Sequence, residues 1–146
     1  NHAFQGCPDT FDNNDVFDGV GNWAIRIMDC STSKTYSNNH LHDNNGGVDI
    51  REFTTPDAGI TPSEWTIEDA TDAREGVTTN GALVGQILLE DCVIRNNAGR
   101  GVESYQADLH IRRSEIYGNE QHAVFINDMN AGIMGAPVDV ADGYRA

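Results

Sequence analysis

Glu68-Asp69, Glu90-Asp91 and Arg112-Arg113 follow one another at intervals of 22 residues, with His110 two residues ahead of the last pair. If each interval is one turn of a repeating chain, two acidic pairs stack directly below two arginines and a histidine. Carboxylates about one strand spacing apart repel and raise one another's pKa unless a cation lies among them. Ca²⁺, hard and oxygen-seeking, is the natural occupant, which makes Glu68, Asp69, Glu90 and Asp91 the candidate metal ligands. Calcium there would bridge the carboxylate of an acidic sugar. Arg112 or Arg113 would neutralise that sugar or abstract its α-proton in a β-elimination, with His110 as the alternative base. The plainer reading of the same residues is a solvated acidic face with cross-strand pairing of Glu90 and Asp91 to Arg112 and Arg113.

These residues can act together only if the chain repeats. Residues 87–104 (ILLEDCVIRNNAGRGVES) and 109–126 (LHIRRSEIYGNEQHAVFI) align at a constant offset: Leu89 with Ile111, Cys92 with Ser114, Ile94 with Ile116, Asn97 with Asn119 and Val102 with Val124. A fixed period of this size marks one supersecondary unit stacked on copies of itself. Each unit holds three short alternating apolar stretches, the periodicity of strands, as at 109–111, 114–116 and 123–126. Tyr117-Gly118-Asn119-Glu120 between the second and third has the composition of a turn.

Carried back along the chain, the first-strand position recurs as Phe11, Tyr36, Ile67, Leu89 and Ile111. The second recurs as Val16, Leu41, Asp72, Ile94 and Ile116, and the corner after it as Gly19, Asn44, Glu75, Asn97 and Asn119. The third unit fits least well, with Asp72 where an apolar residue is expected. Cys92 is read as a small buried hydrophobe in a column with Asn39, Ala70 and Ser114. Three strands per turn and no helical period predict a solenoid, each strand pairing with its equivalent about 4.8 Å away. The expected fold is all-β, a single domain over residues 1–146 with five to six coils. Insertions fall in the corner after the third strand, at 80–86 and most of all at 53–64.

This pattern resembles the right-handed parallel β-helix of the pectate-lyase-like superfamily over residues 9–127, with its short first and second strands, its asparagine corner and its variable loops after the third strand. In lyases and hydrolases of that superfamily substrate lies along the first-strand face. Transferred here, the outward positions are Thr10, Thr35, Thr66, Leu88, His110 and Asp139. The pairs that follow them are Asp12-Asn13, Ser37-Asn38, Glu68-Asp69, Glu90-Asp91, Arg112-Arg113 and Ala141-Asp142. The resemblance implies substrate contacts from Thr66, Leu88 and Asn38 and catalytic roles for Arg112, Arg113 and His110. No full lyase signature surrounds either arginine, and the chain is shorter than a complete enzyme of that type.

The net charge is −14, from 23 acidic residues against 9 basic ones, of which Lys34 is the single lysine. Such a surface repels nucleic acid, so no DNA or RNA partner is expected. An acidic, lysine-poor composition suits a high-salt environment, where screening suppresses self-repulsion; it suits an acidic secreted protein equally well. No apolar run is long enough to span a membrane. Cys7 and Cys30 precede consecutive first strands, within disulfide reach of one coil step, and a bridge between them would imply an oxidising compartment. No Cys/His spacing matches a zinc site. His40 and His42 flank inward Leu41 and are expected to point outward. The chain opens at Asn1 without a visible signal peptide, and Val138-Asp139-Val140 reads as the first strand of an unfinished coil, so a piece of a longer chain or a subunit of an assembly is expected.

Two functional readings remain open. One is an extracellular or cell- or virion-surface module that binds polysaccharide with calcium as its cofactor, of uronate lyase or epimerase type if catalytic. The other is a non-catalytic structural or adhesive module of a fibre, spike or surface filament.

Overall fold

Short stretches of alternating residues form, among the described residues, sixteen strands of three to five residues, none paired with its sequence neighbour. They are seen in a computed structural model that describes residues 2–5, 7–51, 55, 58–80, 86–105, 107–127 and 138–140. The strands are β1 (His2–Gln5), β2 (Asp15–Phe17), β3 (Ile25–Met28), β4 (Lys34–Ser37), β5 (His40–His42), β6 (Val48–Arg51), β7 (Gly59–Ser63) and β8 (Thr66–Glu68). They continue as β9 (Val77–Asn80), β10 (Gln86–Glu90), β11 (Val93–Arg95), β12 (Val102–Tyr105), β13 (Leu109–Arg112), β14 (Glu115–Tyr117), β15 (Val124–Asn127) and β16 (Val138–Val140). From β2 onward every third strand joins the same sheet, and β1 adds to the sheet of β3. The first sheet runs β4-β7-β10-β13-β16, the second β2-β5-β8-β11-β14 and the third β1-β3-β6-β9-β12-β15, with all pairings parallel. The result is a β-solenoid of four complete three-strand coils, β4–β6 through β13–β15, extended by β1, β2 and β3 at one end and β16 at the other.

The corners explain the coil. Between first and second strands one residue per coil takes a left-handed backbone: Asn13, Asn38, Glu64, Asp91 and Arg113. After the second strand another does so: Asp18, Asp43, Asp69, Asn96 and Gly118. Asn, Asp and Gly tolerate this conformation best, so the polar corners of the sequence are largely the price of turning. The next residue in the second corner builds a ladder. Asn97 Oδ1 accepts the Ala70 N–H at 3.1 Å, and Asn119 Oδ1 accepts the Asn97 N–H at 3.1 Å and an Asn97 Nδ2–H at 2.9 Å. Asn44 binds the coil below in the same way, accepting from Gly19 N and donating to the Val16 carbonyl.

These corners correct the register of the third unit. Successive left-handed positions in the first corner are 25, 26, 27 and 22 residues apart, so a period of 22 holds only for the last step. Ile67 therefore stacks between Leu41 and Ile94 on the second strand, not under Leu89. The ladder position in that coil is Ala70 rather than Glu75, and Asp72 is not a strand residue. Trp65, rather than Ala70, is the counterpart of Cys92 one coil earlier, each following a left-handed corner residue. The true first strand of the coil is β7, inside the stretch expected to be an insertion. Pro62 within it argues against a central strand, yet it faces inward in register with Tyr36. The surplus over the next coil is split between two corners: Val77 follows Asp69 by two residues more than Val102 follows Asn96, and Glu90 follows Asn80 by three more than Arg112 follows Tyr105. Residues 81–85, 128–137 and 141–146, with Ala141-Asp142, lie outside the described residues.

The core follows the columns. Leu41, Ile67, Ile94 and Ile116 line one wall; Ile60, Ile87 and Leu109 another; Ile25, Val48, Val77 and Val102 the third, all essentially without solvent contact. Leu89 stacks on Ile111 as expected. Toward one end the core turns aromatic, with buried Tyr36 and Trp65 against Phe11. There Cys7 and Cys30 form a disulfide with Cα atoms 5.0 Å apart, closing a loop worth about 3 kcal/mol. Cys92 is free and buried; burial pushes its thiol up to about 12, which makes it an inert packing residue at neutral pH.

Candidate functional site

On the outward face of the first sheet, Thr35, Thr61, Leu88 and His110 form one column and Ser37, Ser63, Glu90 and Arg112 the next. Glu90 lies in register with Arg112, and Asp91 and Arg113 occupy the corner beside them. The expected stack of four carboxylates is not formed. Ser63 and Glu64 stand one coil below Glu90 and Asp91, whereas Thr66 and Glu68 lie on β8 in the second sheet and Asp69 in the corner after it. Glu90 and Asp91 draw their positive charge from the chain itself: Arg113 grips Asp91 through two hydrogen bonds of 2.8 and 2.9 Å and reaches Glu90 at 2.8 Å. The Arg113 hydrogen bonds hold the Asp91 carboxyl below its ordinary value, and Asp91 and Glu90 in turn raise Arg113. A guanidinium held this way is a charge clamp rather than a proton acceptor. His110 Nε2 lies 3.0 Å from Asp108 Oδ1. Asn38 sits at the left-handed corner, its N–H donating to the Ser63 carbonyl. The first-sheet residues Leu88, Glu90, His110 and Arg112 thus share one surface, while Thr66, Glu68 and Asp69 belong to another.

That other surface, the outward face of the second sheet, is the more elaborate. One column reads Phe17, His42, Glu68, Arg95, Tyr117, and beside it run Asp15, His40, Thr66, Val93 and Glu115. Phe17 stacks on His42 with ring centroids 5.4 Å apart, and the His40 ring lies tilted against His42 at 4.3 Å. His40 Nε2 meets Glu68 Oε1 at 2.8 Å, Arg95 Nε donates to Glu68 Oε2 at 2.5 Å, and Arg95 NH1 donates to the Tyr117 hydroxyl at 3.1 Å. The Arg95 hydrogen bond, and after it the one from His40, holds Glu68 below its ordinary pKa. His42 is shifted upward, chiefly by its hydrogen bond to Asp43 and further by Asp15. The column ends on exposed aromatic rings, Phe17 with 55% of its surface in solvent and Tyr117 with 37%.

The third sheet carries buried charge of a different kind. Asp49, wholly buried, is held by Arg26 at 2.8 Å and Arg51 at 2.6 Å. Arg100 bridges Glu75 and Glu103 and lies 4.2 Å over the Phe125 ring. Burial, and then the neighbouring Glu103 charge, raises the pKa of Glu75. These groups are paired within the chain, and their unpaired forms would be costly.

Reading the sequence alone placed His40 and His42 outward correctly but missed Asp15 as their neighbour and Glu68 as their partner. Asp15 was legible, because Val16 and Leu41 were already in register. Glu68 was not, because its neighbour Ile67 fits a first strand as well as a second. Comparison with protein-family models, with curated proteins and with solved structures finds no match for this chain. Among the described residues no helix is long and apolar enough to cross a membrane.

Proposed function

We propose that the protein is a non-catalytic β-solenoid module that binds an extended polysaccharide along the outward face of its second sheet, at an extracellular or cell or virion surface. One observation carries the reading: the column from Phe17 to Tyr117, charged in its middle and aromatic at both exposed ends. Its five rungs span about 19 Å at one strand spacing per rung, a straight strip suited to a linear chain. Aromatic rings offer flat apolar area to sugar rings, while the histidines, Glu68 and Arg95 offer polar contacts to hydroxyls. The first-sheet face presents no Phe, Tyr or Trp among Thr35, Thr61, Leu88 and His110. The Cys7–Cys30 disulfide supports an oxidising location.

Affinity electrophoresis through gels containing neutral glucans, pectate or alginate, with calcium and with chelator, tests the reading. Retardation by at least one polymer is expected, and the Phe17→Ala/Tyr117→Ala double variant is expected to weaken it by about tenfold or more, since it removes both aromatic anchors of the strip. Migration indifferent to every polymer would overturn the proposal.

The structural reading has its own support in β2 and β14, the end strands of the second sheet, each with one edge unpaired among the described residues. Such edges pair readily with other chains. Light scattering at micromolar concentration is expected to give the mass of one chain if the module acts alone; a concentration-dependent oligomer would favour assembly.

A further inference from the structure

The geometry points to a binding site for a divalent transition-metal ion, of the zinc class, formed by Asp15, His40 and His42 on the outward face of the second sheet. One ligand atom from each of the three residues lies within 4.8 Å of the others. Asp15 Oδ1 is 3.4 Å from His40 Nδ1 and 3.0 Å from His42 Nε2. In a tetrahedral centre with bonds of about 2.0 Å, neighbouring ligand atoms stand ~3.3 Å apart, so both edges through Asp15 are already close to coordination length. The two imidazoles, their ring centroids 4.3 Å apart and their planes tilted by 31°, keep the third edge within 4.8 Å.

The outer nitrogens make the stronger case. His40 turns Nε2 to Glu68 Oε1 at 2.8 Å, and His42 turns Nδ1 to Asp43 Oδ2 at 2.7 Å. Each imidazole is therefore oriented by a carboxylate on its far side and directs its other nitrogen at Asp15, the arrangement that fixes tautomer and ring angle in metal-bound histidines. Glu68 is in turn fixed by Arg95. Two imidazoles and one carboxylate favour a borderline cation over Ca²⁺, which prefers a larger all-oxygen shell. Asp15, the most exposed of the three, leaves the outer side of the site to water.

The site shares His40 and His42 with the proposed sugar face, but its test needs no polysaccharide. Zinc chloride is titrated into chelator-treated protein by calorimetry, with the imidazole nitrogens followed by NMR. One zinc per chain is expected, with resonances of His40 and His42 perturbed and those of His110 and His122 unchanged. Asp15→Asn and His42→Ala are expected to weaken binding by about tenfold or more. Glu68→Gln and Asp43→Asn should do so to a similar or lesser degree without touching a ligand, while His122→Ala leaves binding as it was. Circular dichroism confirms that each variant is folded. Zinc binding no tighter than in a His40→Ala/His42→Ala variant would overturn the proposal, as would displacement of zinc by an equal concentration of calcium.

Discussion

Trp65→Ala is expected to lower the stability of the fold by about 3–5 kcal/mol, the usual cost of emptying a buried tryptophan site. Trp65 has no solvent contact and lies in the core between the first and second strands of its coil. Its ring packs against Phe11 at 5.9 Å between centroids, and its Nε1–H donates to the Tyr36 carbonyl at 2.7 Å, one coil below. Alanine leaves a void and a buried carbonyl without its donor. Trp65→Phe separates the two effects: it retains most of the volume and is expected to cost about 1–3 kcal/mol, mainly for the unsatisfied carbonyl. Urea denaturation of the three proteins, read by far-ultraviolet circular dichroism, measures both numbers. A Trp65→Ala loss below about 1 kcal/mol would contradict the packing described for this corner.

Gly47→Ala tests the contact between coils rather than the filling of one. A methyl group on Gly47 would lie 1.9 Å from the Gly76 carbonyl oxygen and 2.7 Å from Ile67 Cγ2. That carbonyl accepts the Val48 N–H at 2.8 Å, so it cannot move aside without breaking the ladder between β6 and β9. Overpacking against side chains costs typically about 1–3 kcal/mol; because the obstacle here is backbone, the expected loss is about 3 kcal/mol or more. Gly59→Ala provides the contrast, since its nearest atom would be the Gln86 carbonyl at 3.2 Å. The same denaturation experiment should rank Gly47→Ala far below Gly59→Ala, and equal stabilities would show that the coils separate more easily than the geometry allows.

Much of the coil was legible in the residues because stacking repeats side chains like on like. Leu89 over Ile111, Asn97 over Asn119 and the Cys7–Cys30 bridge follow from that regularity alone. The coil that escaped is the one whose length departs from its successor. Its surplus is shared between two corners, where the fold tolerates slack, so nothing in the strand pattern announces it. Pro62 disguised its first strand, and Ile67, an apolar residue flanked by polar ones, fits a first or a second strand equally well. The candidate site inherited this error. Glu68 changed sheets and took its partners with it: the imagined cluster of carboxylates dissolved, and a histidine cluster on the neighbouring face gained its orienting carboxylate. Alternation alone cannot distinguish the three faces of a solenoid; only the corners can.

The disulfide ties consecutive turns together at one end of the column of coils only. Because each turn leans on its immediate neighbours, opening two turns costs most where a covalent clasp joins them. The turns carrying Phe17, His40 and His42 lie near that clasp and Tyr117 lies far from it, so the two ends of the aromatic strip would come apart at different loads.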